Sequence, residues 1–166
     1  VNELLRIYED TVSYMPSSTA TNQANDISLY MHSKITAAVA HCMVHYFEEQ
    51  GIEDYKTYCY QKSQEFRNMP SFKLISGDIS GIQNFIYTNP SKGALKSLRG
   101  RSFYLEILME QIVDELLDAL QLTRANLIYN GGGHFYVLAP NTKATDDAVT
   151  SMEQYINEWF LTVFVT

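Results

Sequence analysis

The residues best suited to bind a ligand follow a short apolar run, Phe-Lys-Leu-Ile-Ser, at residues 72–76. Gly77 and Gly81 enclose Asp78 and Ser80 directly after this run. Glycines at the end of a strand let the backbone turn sharply and let a ligand come close. A locally basic segment follows, with four cations at Lys92, Lys96, Arg99 and Arg101. The order of strand, glycine-rich turn and basic loop before a helix predicts a site for an anion such as phosphate.

A second glycine cluster, Asn-Gly-Gly-Gly-His-Phe at residues 130–135, predicts a tight turn between two strands. Gly131, Gly132 and Gly133 exceed what a two-residue turn needs, which favours close approach of a ligand. Simpler interpretations remain open for each feature. In these interpretations the glycines only form a hairpin turn, Asp78 only bonds its own backbone in a turn, and the basic loop is only a solvated surface.

The elements that must position these residues follow from the spacing of apolar side chains. We predict helices at residues 2–14, 54–68, 102–121 and 144–161. A further helix is predicted to begin after a cap at Asp26 or Ser28 and to end near Gln50. Strands are predicted at 72–78, 124–129 and 134–138, with a further strand beginning after the last helix. This order is β-α-β-β-α-β, the ferredoxin-like arrangement of an α+β fold. The predicted domains are a helical segment at 1–51, a connecting helix and loop at 52–71, and the α+β domain at 72–166.

Composition narrows the class of protein. Apolar residues make up 46% of the 166 residues and charged residues 19%, which predicts a packed core and not a disordered chain. The net charge of −7 confines any nucleic-acid contact to a local patch. Cys42 and Cys59, without a CxxC motif, fit a reducing compartment, and no membrane-spanning run or signal peptide is visible. The absent initiator Met and the strand-like last residues lead us to expect a piece of a longer protein.

The same order of elements, with an acid at the end of the first strand, occurs in the palm of nucleotide polymerases and cyclases. In a working palm, Asp78 and an acid from the middle turn would hold divalent metals for phosphoryl transfer. His134 and Phe135 stand in that turn here, and Mg²⁺ prefers oxygen ligands over imidazole. The sequence therefore predicts a palm without a metal or catalytic residues of its own that still binds a nucleotide. The same two residues disfavour an independent enzyme of the diguanylate-cyclase kind.

Several segments together resemble the large subunit of type III-A (Csm) CRISPR effector complexes. Residues 16–19 and 26–38 resemble the end of its HD domain, and residues 77–87, 98–105 and 130–135 resemble its first palm domain. Met31 stands where the family usually has the Asp of an Asp-His pair, and the HD motif itself is absent from this sequence. The resemblance therefore predicts no nuclease activity for this segment.

The resemblance implies a multidomain cytoplasmic protein whose two palms convert ATP into cyclic oligoadenylates. The second palm of the same chain would carry the GGDD turn and its Mg²⁺ or Mn²⁺, and this palm would form the other wall of the pocket. The other implied partners are neighbouring Csm subunits, the guide RNA and the target RNA. We predict nucleotide contacts from the two glycine segments, at Ser80, Gly81, Gln83, Gly131, Gly132, Gly133 and His134. Lys96, Arg99 and Arg101 are candidate contacts to phosphate or to a partner, and the alternative is a structural palm that docks a neighbouring subunit without nucleotide.

Overall fold

A three-stranded antiparallel sheet lies at the centre of the fold. The computed structural model describes residues 2–20, 22, 26–87 and 94–164, and its strands are β1 (Phe72–Asp78), β2 (Leu127–Gly131) and β3 (His134–Pro140). Their order across the sheet is β1-β3-β2. Asp78 pairs with His134 at one end of β1, and Gly131 pairs with the same His134 from β2. The glycine hairpin and the carboxyl end of β1 therefore lie at the same end of the sheet.

The described residues form six α-helices: α1 (Asn2–Val12), α2 (Leu29–Glu49), α3 (Ser63–Arg67), α4 (Ile82–Tyr87), α5 (Ala94–Ala119) and α6 (Lys143–Phe164). A π-helical turn (Thr57–Gln61) precedes α3, and a 3-10 turn (Arg124–Asn126) precedes β2. The predicted mixture of helices with an antiparallel sheet is confirmed. None of the described helices is long and apolar enough to span a bilayer.

The hydrophobic core lies between one face of the sheet and helices α5 and α6. The buried residues of α5 recur at intervals of three or four, which places them on one helical face: Leu105, Met109, Ile112, Val113, Leu116 and Leu117. Phe135, Val137 and Ala139 of β3 form one cluster with the buried α5 residues from Met109 onwards. Because side chains alternate along a strand, Asp78, His134 and Tyr136 face away from this core and are exposed.

Helix α2 begins and ends where its sequence predicts. The Ser28 hydroxyl accepts a hydrogen bond of 3.1 Å from the Met31 backbone N–H, so Ser28 is the cap and Asp26 is not. At the other end the chain leaves the helix through Gly51, whose φ of +65° suits glycine.

A buried amide fixes α2 to the sheet. Asn126 is fully buried, and its side-chain nitrogen donates to the Leu138 carbonyl at 2.9 Å and to the Ala38 carbonyl at 3.3 Å. The Cys42 thiol also approaches the Leu138 carbonyl, at 3.5 Å. Burial raises the pKa of this thiol to about 11, even though its contact with Asn126 acts in the opposite direction.

The basic segment was predicted to be a loop, and this prediction is wrong for its described part. Helix α5 begins at Ala94, eight residues before the predicted start, so Lys96, Arg99 and Arg101 lie in its first turns. Gly100 led us to expect a loop, but an exposed glycine costs a helix only about 1 kcal/mol, and its neighbours are strong helix formers. Lys92 lies outside the described residues.

Other boundaries also differ from the prediction. The predicted helix at 54–68 divides at Lys62 into a π-helical turn and α3, and α1 ends at Val12. The strand predicted from Arg124 begins at Leu127, because the three preceding residues form a 3-10 turn that buries Asn126. The helix predicted to end near residue 161 continues to Phe164, so no further strand occurs in the described part of the chain.

Candidate functional site

The two glycine-rich segments meet at one corner of the sheet. Asp78 Oδ1 lies 3.0 Å from His134 Nδ1, and the Ile79 backbone N–H donates to the Gly133 carbonyl at 3.1 Å. The Asp78 and His134 side chains are each a little more than half exposed, at 55% and 56%. Residues 54 and 56 positions apart in the sequence therefore form a single accessible corner.

Three glycines of this corner, Gly77, Gly132 and Gly133, differ in their steric surroundings. A Cβ on Gly77 would lie 2.2 Å from Phe135 Cε1, so this glycine makes room for the aromatic ring beneath the sheet. Gly133 has a φ of +87°, and a Cβ there would meet Ile82 Cδ1, so it lets the start of α4 rest on the hairpin. Gly132 has a φ of +62° and no atom within 4 Å of the position of its Cβ. The backbone at Gly132 is therefore open to a ligand.

The predicted contacts between β1 and α4 are also accessible. Ser80, Gly81 and Gln83 are exposed. Gly81 has a φ of +82°, which turns the chain from the strand into α4, and its carbonyl accepts a hydrogen bond of 3.0 Å from the Phe85 N–H. Because α4 rests on the hairpin through Ile82, Ser80 lies beside the glycine corner.

The predicted basic contacts differ in their surroundings. Lys96 and Arg99 are exposed on α5. Arg101 is half-buried, and its guanidinium donates to the Phe85 carbonyl and lies 5.3 Å from the centre of the Phe85 ring. Arg101 therefore links α4 to α5, whether or not it also contacts a ligand.

The corner does not fit a divalent metal. Asp78 is its one carboxylate among the residues described above, and that carboxylate already pairs with His134. The described residues contain no group of three or more His, Cys, Asp and Glu side chains placed to hold a metal ion. Mg²⁺ takes carboxylate and water oxygens in a near-octahedral shell, which this donor set does not supply.

A cavity borders this corner on its β1 side, and Asp78 and Ser80 are among its lining residues. It measures about 550 Å³ and lies between β1, α5 and α6. Six consecutive residues of the chain, 75–80, line it, although successive side chains of a strand point to opposite faces. Residues of both faces line the same cavity only if it runs along the free edge of β1. Gly131, Gly132 and Gly133 are not among its lining residues.

The sequence analysis missed two polar residues that hold the fold together. Arg124 pairs with Glu110 at 2.6 Å and with Asp114 at 2.7 Å, and the hydrogen bond to Asp114 is the main cause of its raised pKa. Asn126 links α2 to the sheet. The spacing of the two acids by four residues on α5 was a signal for a cationic partner, whereas no pattern indicated that Asn126 is buried.

Comparison with known proteins decides the family. Residues 71–166 match the family described as Csm1 subunit domain B. The chain belongs to the Csm1 family. This confirms the resemblance to the large subunit of type III-A CRISPR complexes.

A curated relative from Enterococcus italicus, the CRISPR system single-strand-specific deoxyribonuclease Cas10/Csm1 of subtype III-A, is 49% identical over 99% of this chain. The crystal structure of a Csm1–Csm4 cassette in complex with pppApA superposes with a TM-score of 0.80 and 36% identity over 98% of this chain. A second cassette structure, in complex with one ATP, gives a TM-score of 0.78 at 36% identity over 98% of this chain. The chain spans only 22%, 21% and 21% of these three proteins, respectively.

Proposed function

We propose that this chain is a non-catalytic palm of a Cas10/Csm1 subunit that binds ATP for cyclic oligoadenylate synthesis. The observation that carries the proposal is the open corner formed by the 77–81 turn and the glycine hairpin, joined by the contacts of Asp78 with His134 and of Ile79 with Gly133. The similar cassette structures contain ATP or pppApA, which supports a nucleotide as the ligand.

The catalytic metals belong, in this proposal, to a second palm of the same longer chain. The corner described here offers backbone, a serine hydroxyl and an imidazole, which suit orientation of a nucleotide and not phosphoryl transfer. The exposed sheet face beside the corner carries Leu74, Tyr129 and Tyr136, which are 60%, 51% and 40% exposed. An aromatic and aliphatic surface of this kind suits a protein partner, and we assign it to the second palm.

The organisation of the chain follows from the same proposal. In this proposal, residues 1–51 are the last helices of an HD domain, residues 52–71 connect them to the palm, and residues 72–166 form the palm. The whole subunit is cytoplasmic and works with other Csm subunits, guide RNA and target RNA. A fourth strand completes the ferredoxin-like sheet by pairing with the free edge of β1, over the cavity lined by residues 75–80. Backbone hydrogen exchange of the full-length subunit tests this point, because a fourth strand protects β1 amides that do not bond to β3.

Two substitutions in the full-length subunit test the nucleotide contact. Ser80→Ala removes a hydroxyl, and loss of one hydrogen bond of about 0.5–1.5 kcal/mol weakens ATP binding roughly two- to twelvefold. Ser102→Ala, on the exposed surface of α5, is the matched control. Both variants are assayed for ATP affinity and for oligoadenylate formation.

Gly132→Asn places a side chain in the open space of the corner. Asparagine tolerates a positive φ better than most residues, so the fold is retained and the ligand is obstructed. Gly51→Asn is the control, because Gly51 has nearly the same φ of +65° and equally open surroundings far from the corner. Unchanged ATP affinity and synthesis in both Ser80→Ala and Gly132→Asn would reject nucleotide binding and favour a palm that only docks a neighbouring subunit.

A further inference from the structure

The Asp78–His134 pair has the geometry of a carboxylate that orients an imidazole. The two residues face each other across β1 and β3, and Asp78 Oδ1 lies 3.0 Å from His134 Nδ1. A carboxylate only accepts hydrogen bonds, so Nδ1 carries the proton. This fixes the ring orientation and leaves Nε2 as the free nitrogen.

The free nitrogen is available to a ligand. The described residues provide no hydrogen-bond partner for His134 Nε2, and the side chain is 56% exposed on the sheet face opposite the core. The tautomer with its proton on Nδ1 has a lone pair at Nε2, which accepts a hydrogen bond. Ser80, which is exposed at the same corner, supplies a second polar group.

Charge restricts the chemistry of that ligand. The Asp78 carboxylate places a negative charge beside the imidazole, which disfavours a phosphate group at this point. Since the same carboxylate is already paired, the corner also lacks the oxygen donors that a divalent metal needs. An uncharged hydrogen-bond donor fits best, and a ribonucleotide carries such donors in its 2′- and 3′-hydroxyl groups.

We propose that the Asp78–His134 pair accepts a hydrogen bond from a ribose hydroxyl of the nucleotide bound at this corner. His134 is then the residue that selects ribonucleotides over deoxyribonucleotides, and Asp78 is its positioning residue. The inference rests on the proposed function, since it assigns the ribose to a particular part of that site. A site built to bond a hydroxyl discriminates against an analogue that lacks it, because its polar group is left unpaired.

The test measures the affinity of the full-length subunit for ATP, 2′-deoxy-ATP and 3′-deoxy-ATP by equilibrium competition. In the natural protein, one of the two deoxynucleotides binds more weakly than ATP. His134→Ala lowers the affinity for ATP roughly fivefold and leaves the affinity for that deoxynucleotide unchanged, so the discrimination disappears. If His134→Ala weakens all three nucleotides equally, or none of them, the assignment of the ribose is overturned.

Two conservative variants separate ligand contact from a structural role. Asparagine at position 134 reproduces the Nδ1 contact with Asp78 but is too short to offer an acceptor at the position of Nε2. Glutamine reaches that position but loses the contact. We expect His134→Gln to retain part of the discrimination and His134→Asn to lose it. Full discrimination in His134→Asn would show that only the pairing with Asp78 matters and would overturn the inference.

The failure of this inference is distinguishable from that of the proposed function. If Ser80→Ala and Gly132→Asn weaken ATP binding while His134→Ala leaves the discrimination intact, the nucleotide site stands and the ribose assignment is wrong. If Ser80→Ala and Gly132→Asn both leave ATP affinity and synthesis unchanged, the proposed function itself is wrong.

Discussion

Replacement of Gly77 by alanine tests how tightly the corner of the candidate site is packed on the core. The added Cβ would lie 2.2 Å from Cε1 and 2.3 Å from Cζ of Phe135. Ordinary carbon contacts are about 3.5–4.0 Å, so the ring must move by more than about 1 Å. Phe135 is only 8% exposed and belongs to the cluster formed with α5, which leaves little room for that movement.

The expected loss of stability follows from two opposing effects. Overpacking of a core costs about 1–3 kcal/mol. Alanine also lowers the conformational entropy of the unfolded chain. This stabilises the folded state by about 0.4–1 kcal/mol where the native backbone is unstrained. We expect Gly77→Ala to lower the free energy of unfolding by about 1–2 kcal/mol, which lowers the melting temperature of a chain of this size by about 2–8 °C.

Urea unfolding of the 166-residue chain measures the effect, and a double-mutant cycle assigns it to the ring. Phe135→Leu removes the atoms that the new Cβ meets, so Gly77→Ala is less costly in that background. Gly100→Ala is the matched control, because no atom lies within 4 Å of its Cβ on the exposed part of α5, and it stabilises the chain by up to about 1 kcal/mol. Gly77→Ala with unaltered stability, or with the same cost in both backgrounds, would refute the close contact between Gly77 and Phe135.

The remaining predictions concern Cys42 and Asn126, which lie between α2 and the sheet, and Arg124, which pairs with α5. Because burial raises the pKa of the Cys42 thiol to about 11, iodoacetamide at pH 8 labels the partly exposed Cys59 first, and equal rates would contradict the burial of Cys42. The stability gained by keeping Cys42 protonated is present below about pH 9 and is lost as pH rises towards 11, so Cys42→Ala flattens this decline in urea titrations. Asn126→Leu removes the amide donor from the Leu138 and Ala38 carbonyls and lowers the free energy of unfolding by about 1–3 kcal/mol. A stability equal to that of the natural chain would show that this amide does not fix α2. Arg124→Met costs at most about 1 kcal/mol, since its ion pairs are partly exposed, and the cost shrinks in 1 M NaCl; a cost that grows with salt would exclude an ionic origin.

Local patterns were reliable where a single local interaction decides the structure. The hydroxyl of Ser28 caps α2, Gly51 ends it, and the apolar spacing of residues 105–117 marks the buried face of α5. The glycine hairpin was also predicted, because positive φ angles at Gly132 and Gly133 suit glycine. Each of these signals depends on groups only a few residues apart, so the sequence alone carries it.

Local patterns failed where distant groups outweigh weak propensities. Gly100 predicted a loop in what is the beginning of α5, and the apolar residues near the end of α6 predicted a strand. Helix propensities differ by less than about 1 kcal/mol per residue, which is little compared with packing. Asn126 was assigned to a strand because nothing near it in the sequence indicates that carbonyls of α2 and β3 take its side-chain protons.

The sequence by itself determined the family and the α+β class, because these depend on residue types and short spacings. Only the tertiary structure decided that Asp78 and His134 pair, since the register of β1 against β3 brings together residues that the chain separates widely. It also decided that the hairpin remains open at Gly132 while Gly77 and Gly133 are closed by neighbouring side chains. Steric access and hydrogen bonding depend on which atoms lie within a few ångströms, and packing between distant segments alone sets those distances.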